Sequence, residues 1–209
     1  MTSTTRRRAP DSDRRSVVEG QILAATEQLL RDGSSFTDLG VQRIAAAAGV
    51  ARSSFYVCFR DKTDLLIRLA GTLKQQVLDL AQDWHPAGPG GGPDGLAAVF
   101  RAIIAFYRRH ADLLGAITEV AAYDPAVASF WNSELDRFTD RTAELIRAEQ
   151  DAGRTAADID PVIAARVMTW DGNQVIARHV ASGEESLDAA VARELALIRW
   201  HGVYRRPAG

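Results

Sequence analysis

The sequence lacks most of what would tie a chain together covalently or hold it in a lipid bilayer. Among 209 residues there is one cysteine, Cys58, so no internal disulfide can form, and a reducing compartment, the cytoplasm, is the expected setting. No apolar run approaches the roughly 20 residues that span a bilayer. The polar, Arg-rich N-terminus has no apolar stretch behind it, so no secretory signal is expected there. Alternating β-type runs are missing. His85, His110, His179 and His201 show no metal-ligand spacing. The glycines between Gly88 and Gly95 have no strand before them and no Lys at the spacing of a phosphate-binding loop. No Ser/His/Asp arrangement is visible in the linear order. Neither a catalytic residue, a metal nor a cofactor is expected, and the chain does not read as an enzyme.

What the sequence does contain is helical patterning and an uneven charge. Hydrophobic residues make up 46% and charged residues 25%, enough for a real core. The net charge of −2 conceals an asymmetry. Residues 1–75 carry twelve Lys and Arg against eight Asp and Glu, a surplus of +4, and the remainder carries −6. A basic N-terminal third on an acidic body suggests a polyanion as partner for that third.

Helix punctuation recurs along the whole chain and predicts an all-α protein of about nine helices. Residues 1–15 read as a disordered basic arm. Ser16-Val17-Val18-Glu19 has the form of a capping box and is expected to open a helix that stops near Gly33. Short helices follow over Val41–Ala48 and Ser53–Cys58. Asp61 is placed to cap a long helix from Lys62 to about Asp83. His85–Pro93, rich in Gly and Pro, reads as a linker between functional parts. Beyond it, helices are predicted from Asp94, from Ala111, after Asp124-Pro125, after Asp160-Pro161 and from Ser186. The Asp-Pro pairs place a cap before a Pro at the first helical position, where no N–H is needed.

Phe36 to Leu66 carries the functional signal. Val41, Ile44, Ala45 and Ala48 give a small apolar face that a second helix can approach closely. Gly49 suits a sharp left-handed turn. The helix from Ser53 is too short to stand alone, and Phe55 and Phe59 can supply its packing. Arg52, Ser53, Ser54 and Tyr56 are then left on an outward face with hydrogen-bonding ends. This is helix-turn-helix patterning, in which the second helix enters a major groove. Cys58, beside that helix and with no partner cysteine, reads as a structural thiol rather than a redox sensor.

On these residues the sequence resembles the TetR family of repressors. Thr37, Ile44-Ala45, Ala48-Gly49-Val50, Phe55-Tyr56, Phe59, Lys62 and Leu65-Leu66 look like that family's N-terminal signature, over about Val17 to Leu66. Val57-Cys58 departs from the aromatic or His common before the final Phe. Arg52 stands where small residues are frequent. Both departures bear on which operator is read. The resemblance implies phosphate contacts from Thr37, Gln42, Tyr56 and Lys62. It implies base readout by Arg52, Ser53 and Ser54, with Arg43 reaching either a phosphate or a base edge. Arg can donate bidentately to guanine. The arm, with Arg6, Arg7, Arg8, Arg14 and Arg15, is either a further DNA contact or a solubilising tail. Residues 16–66 are thus expected to bind double-stranded DNA.

For residues 67–209 the resemblance implies a ligand pocket and a homodimer made through the last two helices. Val162, Ile163, Val167 and Val175, and Leu187, Val191, Leu195 and Ile198, offer apolar stripes that face either the chain's own core or a second subunit. Aromatics cluster beyond residue 99. Their order is loosely similar to the subgroup typified by the repressor of ethionamide activation. That likeness implies a small apolar or aromatic effector held by Phe100, Tyr107, Trp131, Trp170, Asn173 and Trp200, with Asn173 or Asp171 taking its polar end. Two alternatives stand beside a ligand-released repressor: a helical small-molecule carrier or enzyme, and a DNA-binding activator without ligand.

Overall fold

A computed structural model of the chain describes residues 9–206. Among them are nine α-helices and no strand: α1 (Ala9–Arg31), α2 (Val41–Ala47), α3 (Arg52–Cys58), α4 (Lys62–Ala81), α5 (Gly92–Arg109), α6 (Ala111–Ala121), α7 (Pro125–Asp151), α8 (Pro161–Ser182) and α9 (Asp188–Arg199). A π-helical turn, Trp200–Tyr204, extends α9. The described residues fall into two compact units. One holds those up to Ala70 together with Asp112–Ala128, and the other holds Gly71–Ala111 and those from Ser129 onward.

In the first unit, α1, α2 and α3 pack on one another around Ile22, Leu30, Phe36, Leu39, Ile44, Phe55 and Phe59, all buried. The turn from α2 to α3 is made by Gly49 at φ +66°. Its N–H bonds Ala46 O at 3.1 Å, and Val50 N–H bonds Ala45 O at 3.0 Å. A side chain at Gly49 would be strained in this left-handed conformation. Phe55 and Phe59 meet in a tilted contact at 5.5 Å between ring centroids and hold down α3, whose seven residues are too few for independent stability. Asp61 caps α4 by accepting from Asp64 N–H at 2.8 Å. Asp124 caps α7 by accepting from Ala126 N–H at 2.9 Å.

The start of α1 differs from expectation. The helix is already formed at Ala9, so residues 9–15 are helical rather than disordered, and Ser16 and Glu19 lie inside it. Glu19 therefore caps nothing. Its carboxylate accepts instead from Arg68 at 2.7 Å. Arg6, Arg7 and Arg8 lie outside the described residues.

The second unit contains both flanks of His85–Pro93, so that segment is a loop within one unit and not a boundary. Its glycines make a tight turn. A Cβ on Gly95 would sit 1.7 Å from Gly90 O, so composition there reflects close backbone approach and not a flexible joint. α5 starts at Gly92 with Pro93 in its first turn, ahead of the Asp94 cap the sequence suggested. α5 packs on α9. Arg108 of α5 donates from Nε to Asp188 Oδ2 of α9 at 2.8 Å, and His179 of α8 lies 2.7 Å from Asp188 Oδ1, so one carboxylate pins three helices. α8 is capped by Asp160, which accepts from Val162 N–H and Ile163 N–H. No helix among the described residues is long and apolar enough to cross a membrane.

Candidate nucleic-acid interface and ligand cavity

The register of α3 sorts its residues into two faces. Phe55 and Cys58 are buried, while Arg52, Ser53 and Tyr56 are exposed and Ser54 is half-buried. Arg52 and Tyr56, one turn apart, reach each other at 3.4 Å between Nη2 and the phenol oxygen. Gln42 and Arg43 on α2 are exposed as well, and Arg43 donates to Ser34 Oγ at 3.0 Å. Cys58 is buried, and desolvation, reinforced by Glu19, raises its thiol pKa. A thiol held protonated in this way is a poor nucleophile and packs as a small apolar group.

Two of the expected phosphate contacts have partners within the first unit. Thr37 donates from Oγ1 to Glu119 Oε1 at 2.9 Å and lies 3.2 Å from Tyr123 OH. Lys62 Nζ donates to the carbonyls of Phe36 and Thr37 at 3.0 and 2.9 Å, and burial lowers its pKa.

The second unit contains a partly open cavity of about 150 Å³. Its wall is largely apolar, with Phe100 and Ile103 of α5, Leu135 and Phe138 of α7, and Met168 and Ile176 of α8. Phe100, Tyr107 and Asn173, all expected to bind ligand, line it. Trp131 does not line it, and its ring centroid is 3.7 Å from Lys74 Nζ. Trp200 packs on the core around Leu96 and Ala196 and does not line the cavity. Trp170 does not line it either. It is 47% exposed, because α8 turns Met168, Gly172, Asn173 and Ile176 to the cavity and residues 163, 167 and 170 to the opposite side. At Gly172 the helix passes Arg199 so closely that a Cβ would lie 2.5 Å from its Nη2.

Sequence reasoning missed Lys74. Its side chain is buried, with 1% exposure, and its Nζ donates to Asn173 Oδ1 at 3.0 Å and Tyr107 OH at 3.2 Å. Desolvation lowers its pKa to about 7, against the smaller opposing effect of Glu134. Burial raises the Tyr107 pKa, so its phenol stays protonated. The signal was present in α4, where Ala70, Lys74, Val77 and Ala81 follow one another at steps of four, three and four, which puts a lysine on the buried stripe. No group of three or more His, Cys, Asp or Glu that could hold a metal ion occurs among the described residues.

A supported recognition helix with an outward polar face, carried on one chain with a helical unit around an apolar cavity, defines a helix-turn-helix regulator. Residues 22–69 match the family of bacterial regulatory proteins of the tetR type, and residues 96–204 match the C-terminal domain of the transcriptional regulator EthR. The chain belongs to the TetR family of transcriptional regulators. It is 28% identical over 173 residues to the HTH-type transcriptional regulator EthR of Mycolicibacterium smegmatis (strain ATCC 700084 / mc(2)155), covering 78% of this chain and 76% of that one. Solved structures share the fold. The transcriptional regulator FadR from Bacillus subtilis, in complex with stearoyl-CoA, aligns with a TM-score of 0.70 at 18% identity over 88% of this chain and 98% of its own. A TetR-family regulator from Rhodococcus sp. aligns with a TM-score of 0.69 at 19% identity over 90% and 99%.

Proposed function

We propose that this regulator is a repressor that binds a palindromic operator as a homodimer in the cytoplasm and is released by a small apolar effector. In this reading residues 16–66 bind double-stranded DNA, and residues 67–209 bind the effector and pair the subunits. The observation that carries it is the outward face of α3, where Arg52, Ser53 and Tyr56 stand exposed over the buried Phe55. Arg52, Ser53 and Ser54 read bases. Tyr56, Gln42 and Arg43 hold the backbone, Arg43 with a base edge also in reach. Lys62 spends two N–H donors on carbonyls and keeps a third for a phosphate. Thr37 gives up Glu119 when it donates to one.

Pairing through α8 and α9 is supported by apolar surface left open in the single chain. Ile163, Val167 and Trp170 follow one another on α8, and Leu187 and Ile198 lie three turns apart near α9, all of them exposed. In a two-fold dimer of this kind the recognition helices meet successive major grooves, roughly 34–36 Å apart. The effector occupies the cavity against Phe100, Tyr107 and Asn173, with Trp131 and Trp200 supporting its walls, and favours an arrangement with the wrong spacing. A coupling of about 1–3 kcal/mol changes operator affinity about 5- to 150-fold.

The test is a gel shift with the full-length protein on the intergenic palindromes next to its own coding sequence. A shift at low salt that weakens on adding an effector is expected. No shift on any of them refutes the operator reading.

A further inference from the structure

The charge lining the cavity says what kind of effector it takes. Lys74, Arg141 and Arg199 line it, and no Asp or Glu does. Both arginines are engaged with backbone carbonyls. Arg141 donates to Ala81 O and Gln82 O, and Arg199 donates to Leu195 O and Met168 O. Arg199 also pairs with Asp171 at 3.8 Å, and Arg141 is only half-buried. Lys74 is buried, and its Nζ meets the Tyr107 hydroxyl, the Asn173 amide oxygen and the face of Trp131. Among the described residues no ion pair involves it.

A buried ammonium with no carboxylate bonded to it is costly, and Glu134 acts on Lys74 without reaching ion-pair distance. Here the ammonium is fully enclosed on the protein side and borders a cavity. Its two hydrogen-bond partners are also arranged for an anion. Tyr107 oxygen accepts from Lys74, which leaves the phenol O–H to donate. Asn173 Oδ1 accepts from Lys74, which leaves both amide N–H donors.

We propose that the effector is an apolar molecule ending in a carboxylate, with the carboxylate seated on Lys74, Tyr107 and Asn173 and the body against Phe100, Ile103 and Phe138. The proposal rests on the ligand-response reading above and specifies its ligand class. The cavity is of the size that holds a benzene ring in an apolar core, which accommodates a body of at least one ring or a short chain.

The ionisable groups that share the cavity wall with Lys74 are Tyr107 on α5, Arg141 on α7, Arg199 on α9 and Tyr204 in the π-turn, and Glu134 on α7 acts on it electrostatically. Glu134 is engaged by Arg137 at 2.9 Å. A carboxylate arriving beside Lys74 favours its charged form, so binding above neutral pH takes up a proton.

The experiment is calorimetric titration of the full-length protein at about pH 8, in two buffers of different ionisation enthalpy. The probes are 4-phenylbutanoate and octanoate against 4-phenylbutanamide and octanamide. The carboxylates should bind about 10- to 100-fold more tightly than their amides, the range for a hydrogen bond to a charged group, with net proton uptake. In Lys74→Met the preference should vanish while the amides still bind, and in Tyr107→Phe it should fall without vanishing. Amides that bind as tightly as carboxylates, a preference that survives in Lys74→Met, or carboxylate binding without proton uptake each overturn the proposal and leave the cavity as a neutral-ligand site. If none of the four probes binds, the ligand-response reading fails with it.

Discussion

Replacing Lys74 by methionine should stabilise the protein, and the gain should shrink as pH rises. Lys74 has a pKa of about 7 in the folded chain, against 10.5 for an ordinary lysine. The sign follows from counting protons. Below pH 7 both states hold the proton, and the fold carries the whole cost of burying it. Between about 7 and 10.5 the unfolded chain keeps a proton that the fold has released, so stability rises with pH by about 1.36 kcal/mol per pH unit. The gap between the two values amounts to about 5 kcal/mol at pH 6. Methionine removes this penalty but leaves Tyr107 OH and Asn173 Oδ1 without a donor, a loss of about 1–3 kcal/mol. The net expectation is a gain of about 2–4 kcal/mol at pH 6 that falls to about zero at pH 9. All four tryptophans, Trp84, Trp131, Trp170 and Trp200, lie in the unit that holds Lys74. Urea unfolding followed by tryptophan fluorescence therefore reports on that unit. Taking the difference between variant and parent cancels the other groups that titrate over the range. A Met variant less stable than the parent at pH 6, or a difference that stays constant from pH 6 to pH 9, would refute the reasoning.

Arg52→Ala should weaken specific operator binding by about 10- to 100-fold, the value of a bidentate Arg–guanine pair, and leave binding to unrelated duplex nearly unchanged, which gel shifts against both sequences check. Asp160→Ala removes the cap that accepts from Val162 and Ile163 N–H. A cost of about 1 kcal/mol and a fall in Tm of about 2–4 °C are expected by calorimetry. Val167→Glu combined with Ile198→Glu places charge on two exposed apolar positions, 62% and 65% accessible in the single chain. Sedimentation should show a shift from dimer to monomer, with unfolding of the single chain changed by about 0.5 kcal/mol or less.

The parts of this fold that were legible in the sequence are those where a local rule acts on a few adjacent residues. Gly49 marks the turn because only a residue without a Cβ sits easily at φ +66°. Asp124-Pro125 and Asp160-Pro161 mark helix starts because a capping carboxylate and a proline need nothing from the rest of the chain, and both caps form. The α3 face was legible because a seven-residue helix must be held by its aromatics, which fixes the direction of everything else on it. Local signals misled where a longer-range contact took over. Ser16 and Glu19 have a helix-start pattern, yet the helix runs through them and Glu19 serves Arg68, 49 residues away. The glycines of His85–Pro93 look like a flexible boundary and instead let backbone pass within one unit. The ligand site was the least legible, because aromatic type says nothing about direction. Trp170 and Asn173 are three residues apart on α8, yet one is on the surface and the other lines the cavity. Helical register separates them, and the same register puts Lys74 on the buried stripe of α4. A charged residue at a core position costs stability unless something compensates it. The most informative position in the ligand-binding unit is therefore the one whose chemistry disagrees with its place in the pattern.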